Sequence, residues 1–229
     1  MPGRCPNSGR LRRLRTGMAI AALALVATPA SAQAPDLETL TNDAAAETMH
    51  RFALCVGMRR EAAGRVLVTV PGSRDEYTVM MRLIDPQPPS CEIGGDMLRF
   101  SALYLRGGIA EAVWRADFAN ASRRAQKPAL AVFAVPSADH AGLSDAQKGA
   151  VGLVVFAECV ARADRASVSA LLATRYGSRA ERSLYPRLQP AMDNCLPDGM
   201  ALKLTPLRLR GYLAEGAYRI AATPRVDVP

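Results

Sequence analysis

The sequence lacks the marks of the commoner enzymes: it has no G-x-S-x-G, H-E-x-x-H, glycine-rich phosphate loop or EF-hand ligand spacing. Histidine, the usual proton-transfer residue, occurs only twice in 229 residues. Cysteines are far apart, with no C-x-x-C, which argues against a clustered metal site. No cofactor-binding motif is present. Lysine is scarce, at three positions (Lys127, Lys148 and Lys203), beside many arginines and alanines. Apolar content is 49%, with ordinary amounts of Gly and Pro, so a disordered or fibrous chain is excluded and a sizeable core is expected.

The N-terminus reads as an export signal. Arg10 to Arg15 form a basic region, Met18–Thr28 an eleven-residue apolar run, and Ala30-Ser31-Ala32 a small-x-small cleavage site before Gln33. Eleven residues are too few to span about 30 Å of hydrocarbon. In the rest of the chain the longest apolar stretch, Gly149–Ala157, stops at Glu158, so no transmembrane segment is expected. Arg12-Arg13 hints at twin-arginine export. Cleavage after Ala32 removes five arginines and no acid, leaving 197 residues and lowering the formal charge from +8 to +3. That removes the basic excess of a nucleic-acid binder. The expected location is the periplasm or the extracellular medium.

Export changes how cysteine is read. Cys5 leaves with the signal, and Cys55, Cys91, Cys159 and Cys195 remain, an even number in an oxidising compartment. Their spacing is 36 residues in each pair, and the pairs are offset by 104. The offset extends well beyond them. Phe52-Ala53-Leu54-Cys55-Val56 matches Phe156-Ala157-Glu158-Cys159-Val160, and Leu105-Arg106-Gly107 matches Leu209-Arg210-Gly211. Ala110-Glu111 matches Ala214-Glu215, while Trp114 and Arg115 match Tyr218 and Arg219. Between the cysteines the offset slips to 105, aligning Gly72-Ser73-Arg74-Asp75-Glu76 with Gly177-Ser178-Arg179-Ala180-Glu181. This predicts a mainly α protein of two tandem, disulfide-stapled helical copies with short extended segments. The expected organisation is signal peptide 1–32, first copy 33–118, connecting arm 119–143 and second copy 144–229. An ancestral single copy had only its own two cysteines, so the expected bridges are Cys55–Cys91 and Cys159–Cys195. Each contributes about 3–4 kcal/mol on a chain-entropy account.

Within each copy the local signals are helical. Ser144 with Gln147 forms a capping box that opens a helix, and Asn42 or Asp43 is the expected cap of its counterpart. A glycine followed by Ser-x-x-Glu (Gly72, Ser73 and Glu76; Gly177, Ser178 and Glu181) predicts two helices meeting at a tight corner. The helix after the corner is expected to end near Ile84 or Gln189, before a Pro-rich loop holding Cys91 or Cys195. Short alternating pieces, Met97–Ser101 and Ala201–Thr205, read as a strand or extended lead-in. The last helix of each copy aligns Leu103, Gly107, Ala110 and Trp114, or Leu207, Gly211, Ala214 and Tyr218, on one stripe. Small residues in the middle of that stripe predict close contact between these two helices, in one chain or across a dimer. The arm, with Pro128 and Pro136 around Ala129–Val135, is expected to lie extended across the copies; Asn120 in it begins an Asn-x-Ser site.

Polar residues repeated in both copies are the candidates for binding: Arg106, Arg210, Glu111, Glu215, Arg115 and Arg219. Glu111 with Arg115 and Glu215 with Arg219 have the order of helical i,i+4 pairs, whose plain reading is a solvated surface pair. Arg106 and Arg210 fall inside the apolar arc and must find acceptors, with Glu76 and Glu181 as candidates. They form either a structural clamp or a half-exposed anion site. No catalytic residue repeats. His50 reads as an ordinary helix residue. His140, in Ser137-Ala138-Asp139-His140, carries the alternative of an envelope hydrolase using His140 and neighbouring acids.

The Phe-Ala-x-Cys-Val start, the cysteine 36 residues on, and Leu-Arg-Gly-x-x-Ala-Glu-x-x-Tyr/Trp-Arg (105–115, 209–219) resemble a group of uncharacterised exported proteins of alphaproteobacterial type. The resemblance covers most of both copies and implies compartment and architecture, with no activity, site or ligand. The expected function is therefore a non-catalytic periplasmic or secreted binding protein. Its partner is an envelope protein, or a small anionic ligand held between the Arg106 and Arg210 helices. A purely structural role is a third reading.

Overall fold

The strongest local signals of the sequence are helix starts, and the computed structural model places helices at them. It describes residues 37–84, 91, 102–119, 130–135, 142–197 and 200–222, among which there are eight helices and no strand. The front four are α1 (Leu37–Gly57), α2 (Arg60–Leu67), α3 (Arg74–Ile84) and α4 (Ala102–Asp117). The back four are α5 (Asp145–Ala163), α6 (Arg165–Ala173), α7 (Arg179–Cys195) and α8 (Pro206–Ala222). The expectations for residues 1–32, Met97–Ser101, Asn120, Pro128 and His140 lie outside the described residues.

Side chains near the helix ends explain the starts. Before α5, Ser144 Oγ accepts from the Gln147 N–H at 3.3 Å and Gln147 Oε1 accepts from the Ser144 N–H at 2.8 Å, the reciprocal arrangement of a capping box. Asp164 caps α6 by accepting from the Ser167 N–H at 2.9 Å. At the two corners Gly72 and Gly177 have φ of 74° and 73°, a left-handed conformation that a side chain would strain. Ser73 and Ser178 then cap α3 and α7, accepting from the N–H groups of Glu76 and Glu181 at 3.0 and 3.1 Å. The glutamates turn back to accept from the N–H of the preceding glycines, Gly72 and Gly177. A whole corner is thereby organised by one carboxylate.

Two expectations about helix ends need correction. Asn42 and Asp43 do not cap α1, because α1 has already begun at Leu37. Nor does the helix after the second corner stop near Gln189: α7 continues through Pro186 and Pro190 to Cys195. Both prolines lie on its exposed face, where water can solvate the backbone groups that proline leaves unpaired. The opposite face buries Leu184, Leu188, Ala191 and Met192, and the disulfide anchors the end. Packing on one side overrides the local penalty on the other.

The described helices belong to one compact unit, Asp36–Pro229, and share a single core. Helix α1 packs on α4, α5 packs on α8, and α4 packs on α8. Residues with no measurable exposure come from both halves, including Val56, Leu67, Ile109, Leu172, Leu188, Leu213 and Tyr218. The disulfides are Cys55–Cys91 and Cys159–Cys195, each closing 36 residues. Segment 130–135 runs without regular structure across the shared core. The Phe133 N–H donates to Leu67 O (2.8 Å) in the front half, while the Leu130 N–H donates to Tyr218 Oη (2.7 Å) in the back half. No helix among the described residues is long and apolar enough to cross a membrane.

Candidate functional site

At the centre of the core, α4 crosses α8 with backbone almost on backbone. A methyl group on Gly107 would lie 2.5 Å from the Gly211 Cα, so neither position admits a side chain without displacing a helix. The contact expected between these two helices is thus made within one chain. Close approach also sets the reach of the neighbouring arginines, one residue before each glycine.

Each of these arginines spans the crossing to a glutamate of the other half. Arg106 donates through Nε and Nη2 to the two oxygens of Glu215, both at 2.7 Å. Arg210 donates through the same nitrogens to Glu111, both at 2.8 Å. Planar two-point pairing of this kind fixes geometry as well as charge. The remaining nitrogen of each meets its own half's corner: Arg106 Nη1 lies 2.9 Å from Glu76 Oε1, and Arg210 Nη1 lies 3.0 Å from Glu181 Oε1. Carbonyls complete the shells. Val66 and Thr69 accept from Arg106, and Leu172 and Thr174 accept from Arg210. Both arginines are buried, at 1% and 0% exposure, and every guanidinium nitrogen has an acceptor within the protein. Glu76 and Glu181 are the partners expected from the sequence.

The electrostatics follow from this burial. Loss of water opposes charge on Arg106, but Glu215 and Glu76 outweigh that loss and hold its pKa above the ordinary guanidinium value. For Glu76 the balance tips the other way: burial raises its pKa despite the attraction of Arg106. Burial also acts to raise Glu111, yet hydrogen bonds from His50 and Arg210 reverse the effect and bring it to about 2. Glu111 is therefore held as a carboxylate with an unusually full set of donors.

The supposed surface pairs are not on the surface. Glu111 and Glu215 are 0% and 1% exposed, because both face the α4–α8 crossing. Arg115 does reach Glu111 at 2.6 Å, and it also donates to the carbonyls of Leu172 and Thr174. Arg219 is directed elsewhere: its Nε binds Glu158 on α5 and its Nη1 donates to Phe133 O at 3.0 Å. The guanidinium lies 4.4 Å from the centre of the Phe133 ring, and that of Arg106 lies 5.3 Å from it. Periodicity put the Gly107 and Gly211 stripe at the contact between these helices, but the i,i+4 arginines masked that Glu111 and Glu215 lie at the same crossing.

His50 is the member of this cluster that sequence reasoning missed. It is buried, its Nε2 donates to Glu111 at 2.9 Å, and its ring lies 5.1 Å from that of Tyr176 at the back corner. The residue at the 104-residue offset is Val154, so the sequence matches between the two segments do not mark this position. A second missed contact joins Asp117 to Arg60 and to the hydroxyl of Tyr218. Among the described residues no group of three or more His, Cys, Asp and Glu could hold a metal ion.

A separate concavity lies between α5, α7, α8 and the segment leading into α8. It encloses about 280 Å³. Six apolar side chains line it, Phe156, Met192, Leu196, Leu202, Leu204 and Leu209, with Pro206, Gln189 and Tyr185. The Tyr185 hydroxyl donates to Glu181 Oε1 at 2.9 Å, with Pro206 O at 3.3 Å as a second acceptor. Burial first, and the neighbouring Glu181 charge next, raise this phenol well above its ordinary pKa, so it stays protonated. Through Glu181 the wall of the cavity is tied to Arg210.

No protein family, curated protein or solved structure matches this chain.

Proposed function

We propose that this chain is a non-catalytic binding protein of the periplasm or extracellular space, built by internal duplication of a disulfide-closed helical unit. The observation that carries the binding reading is the pairing of a saturated charged centre with an open apolar cavity. Arg106 and Arg210 have their donors directed to protein acceptors, which disfavours a small anion held between their helices. The described concavity is lined instead by apolar side chains with Gln189 and a Tyr185 phenol that stays protonated, none of them a nucleophile paired with a base. Two disulfides and the leader-like N-terminus support the compartment. Duplication is supported by the exchanged partners: Arg106 and Glu215 stand in the same relation as Arg210 and Glu111 at a constant offset.

The test is to express the full chain with its own leader in a Gram-negative host, fractionate the cells, and weigh the folded protein by native mass spectrometry. The expected result is an extracytoplasmic protein cut after Ala32, four hydrogens lighter through two disulfides, that carries a small-molecule adduct or a co-isolated envelope protein. Retention in the cytosol with free thiols would overturn the compartment. An empty protein that turns over an envelope substrate would overturn the non-catalytic reading.

A further inference from the structure

The cavity beside α7 has a chemistry that narrows what it can hold. We propose that it binds a small neutral alcohol with an apolar body, of the size of a medium-chain alkanol; this rests on the binding-protein reading. The volume of about 280 Å³ corresponds to about nine water volumes, and is nearly twice that of the engineered apolar cavity known to take up benzene. An eight-carbon chain, or a ring with a short substituent, matches that space. Met192 in the wall is unbranched and adaptable, and it tolerates either shape.

Charge decides against an ionic ligand. No Lys, Arg, His, Asp or Glu is among the residues lining the cavity, so a carboxylate or ammonium would lose water without gaining a counter-ion. The two polar groups of the lining are instead complementary to a hydroxyl. The single proton of Tyr185 is directed at Glu181, so its oxygen is left to accept. Gln189 directs one amide N–H to Asp193 Oδ1 at 2.7 Å and retains a second N–H and its carbonyl. An alcohol can donate to the first group and accept from the second. A plain hydrocarbon would use neither of the spare acceptor and donor positions.

The experiment is isothermal titration calorimetry of the disulfide-intact mature protein with 1-octanol, octanoate and octylammonium at pH 7.5. It is repeated on Leu204→Trp, which fills the cavity from a half-buried position, and on Gln189→Leu and Tyr185→Phe. The expected result is saturable octanol binding, with both ions at least tenfold weaker. Leu204→Trp abolishes it, and each polar-group variant weakens it by about 3- to 10-fold, the loss of one hydrogen bond. Thermal unfolding of the variants separates lost binding from lost fold, and Gln189→Leu, at an exposed helix position, is the safer of the two polar changes. Octanoate binding as tightly as octanol would overturn the ligand class and leave the binding-protein reading standing. Absence of binding by all three probes, or octanol binding that survives Leu204→Trp, would overturn the site; the adduct found by native mass spectrometry judges the broader reading independently.

Discussion

Arg106 on α4 and Glu215 on α8 are joined by two parallel hydrogen bonds of 2.7 Å at a point where neither side chain is more than 2% exposed. Together with the Arg210–Glu111 pair, they lock the two halves to each other across a crossing too tight for side chains. Burying ions is not in itself stabilising, since desolvation offsets most of the attraction, but removing one partner is severe. The pairs set the register of α4 against α8.

Replacing Arg106 by Met leaves Glu76 and Glu215 buried without their cation. The expected loss is about 3–5 kcal/mol, read from the midpoint of denaturant unfolding. Arg106→Lys restores only part of it, because an ammonium cannot make the two-point contact. The triple change Arg106→Met, Glu76→Gln, Glu215→Gln recovers more than Lys does. If Arg106→Met were neutral, the clamp would not be holding the halves together.

Acid should weaken the fold through Glu111. Its folded pKa is about 2, below the ordinary 4.5, so the unfolded chain takes up a proton first as pH falls. The contribution is complete above about pH 5 and is lost as pH drops from 4.5 toward 2, amounting to about 3 kcal/mol. Glu111→Gln is less stable than the parent at neutral pH and shows a shallower decline over that window. Parallel acid profiles for the two proteins would refute this assignment.

Breaking either sulfur bridge lowers stability by about 2–5 kcal/mol. Cys159→Ser with Cys195→Ser should also fray the end of α7, since the bridge anchors a helix that two prolines weaken. Hydrogen exchange across 186–195 is the measurement, and unchanged protection there would show that the apolar face alone suffices.

Gly107→Ala places a methyl group where the Gly211 backbone now lies. Alanine favours the helix by about 1 kcal/mol, but overpacking the crossing costs about 1–3 kcal/mol, so the melting temperature should fall. Gly211→Ala acts on the same contact, and the double variant should lose less than the sum. A rise in melting temperature for either single change would mean that the helices separate freely.

Much of the architecture was legible because it is written locally. Ser144, Ser73 and Ser178 announce helix starts, Gly72 and Gly177 announce corners, and Gly107 with Gly211 announces a close crossing. The disulfide partners were legible through the equal spacing of 36 residues. The partners of Glu111 and Glu215 were not. Their i,i+4 arginines suggested a surface pair, whereas the partners that bury them lie 99 and 109 residues away. His50 was invisible for the same reason, being 61 residues from Glu111.

The order of residues alone marked most helix starts, the two glycine corners and the equal spacing of the cysteines, because caps, left-handed glycines and short-range spacing act within a few bonds or a repeated interval. Which carboxylates are buried, which distant arginines they meet and where an apolar hollow remains were decided only when α4 met α8. Those outcomes depend on long-range packing and on which groups lose water together, and no local pattern in the chain encodes them.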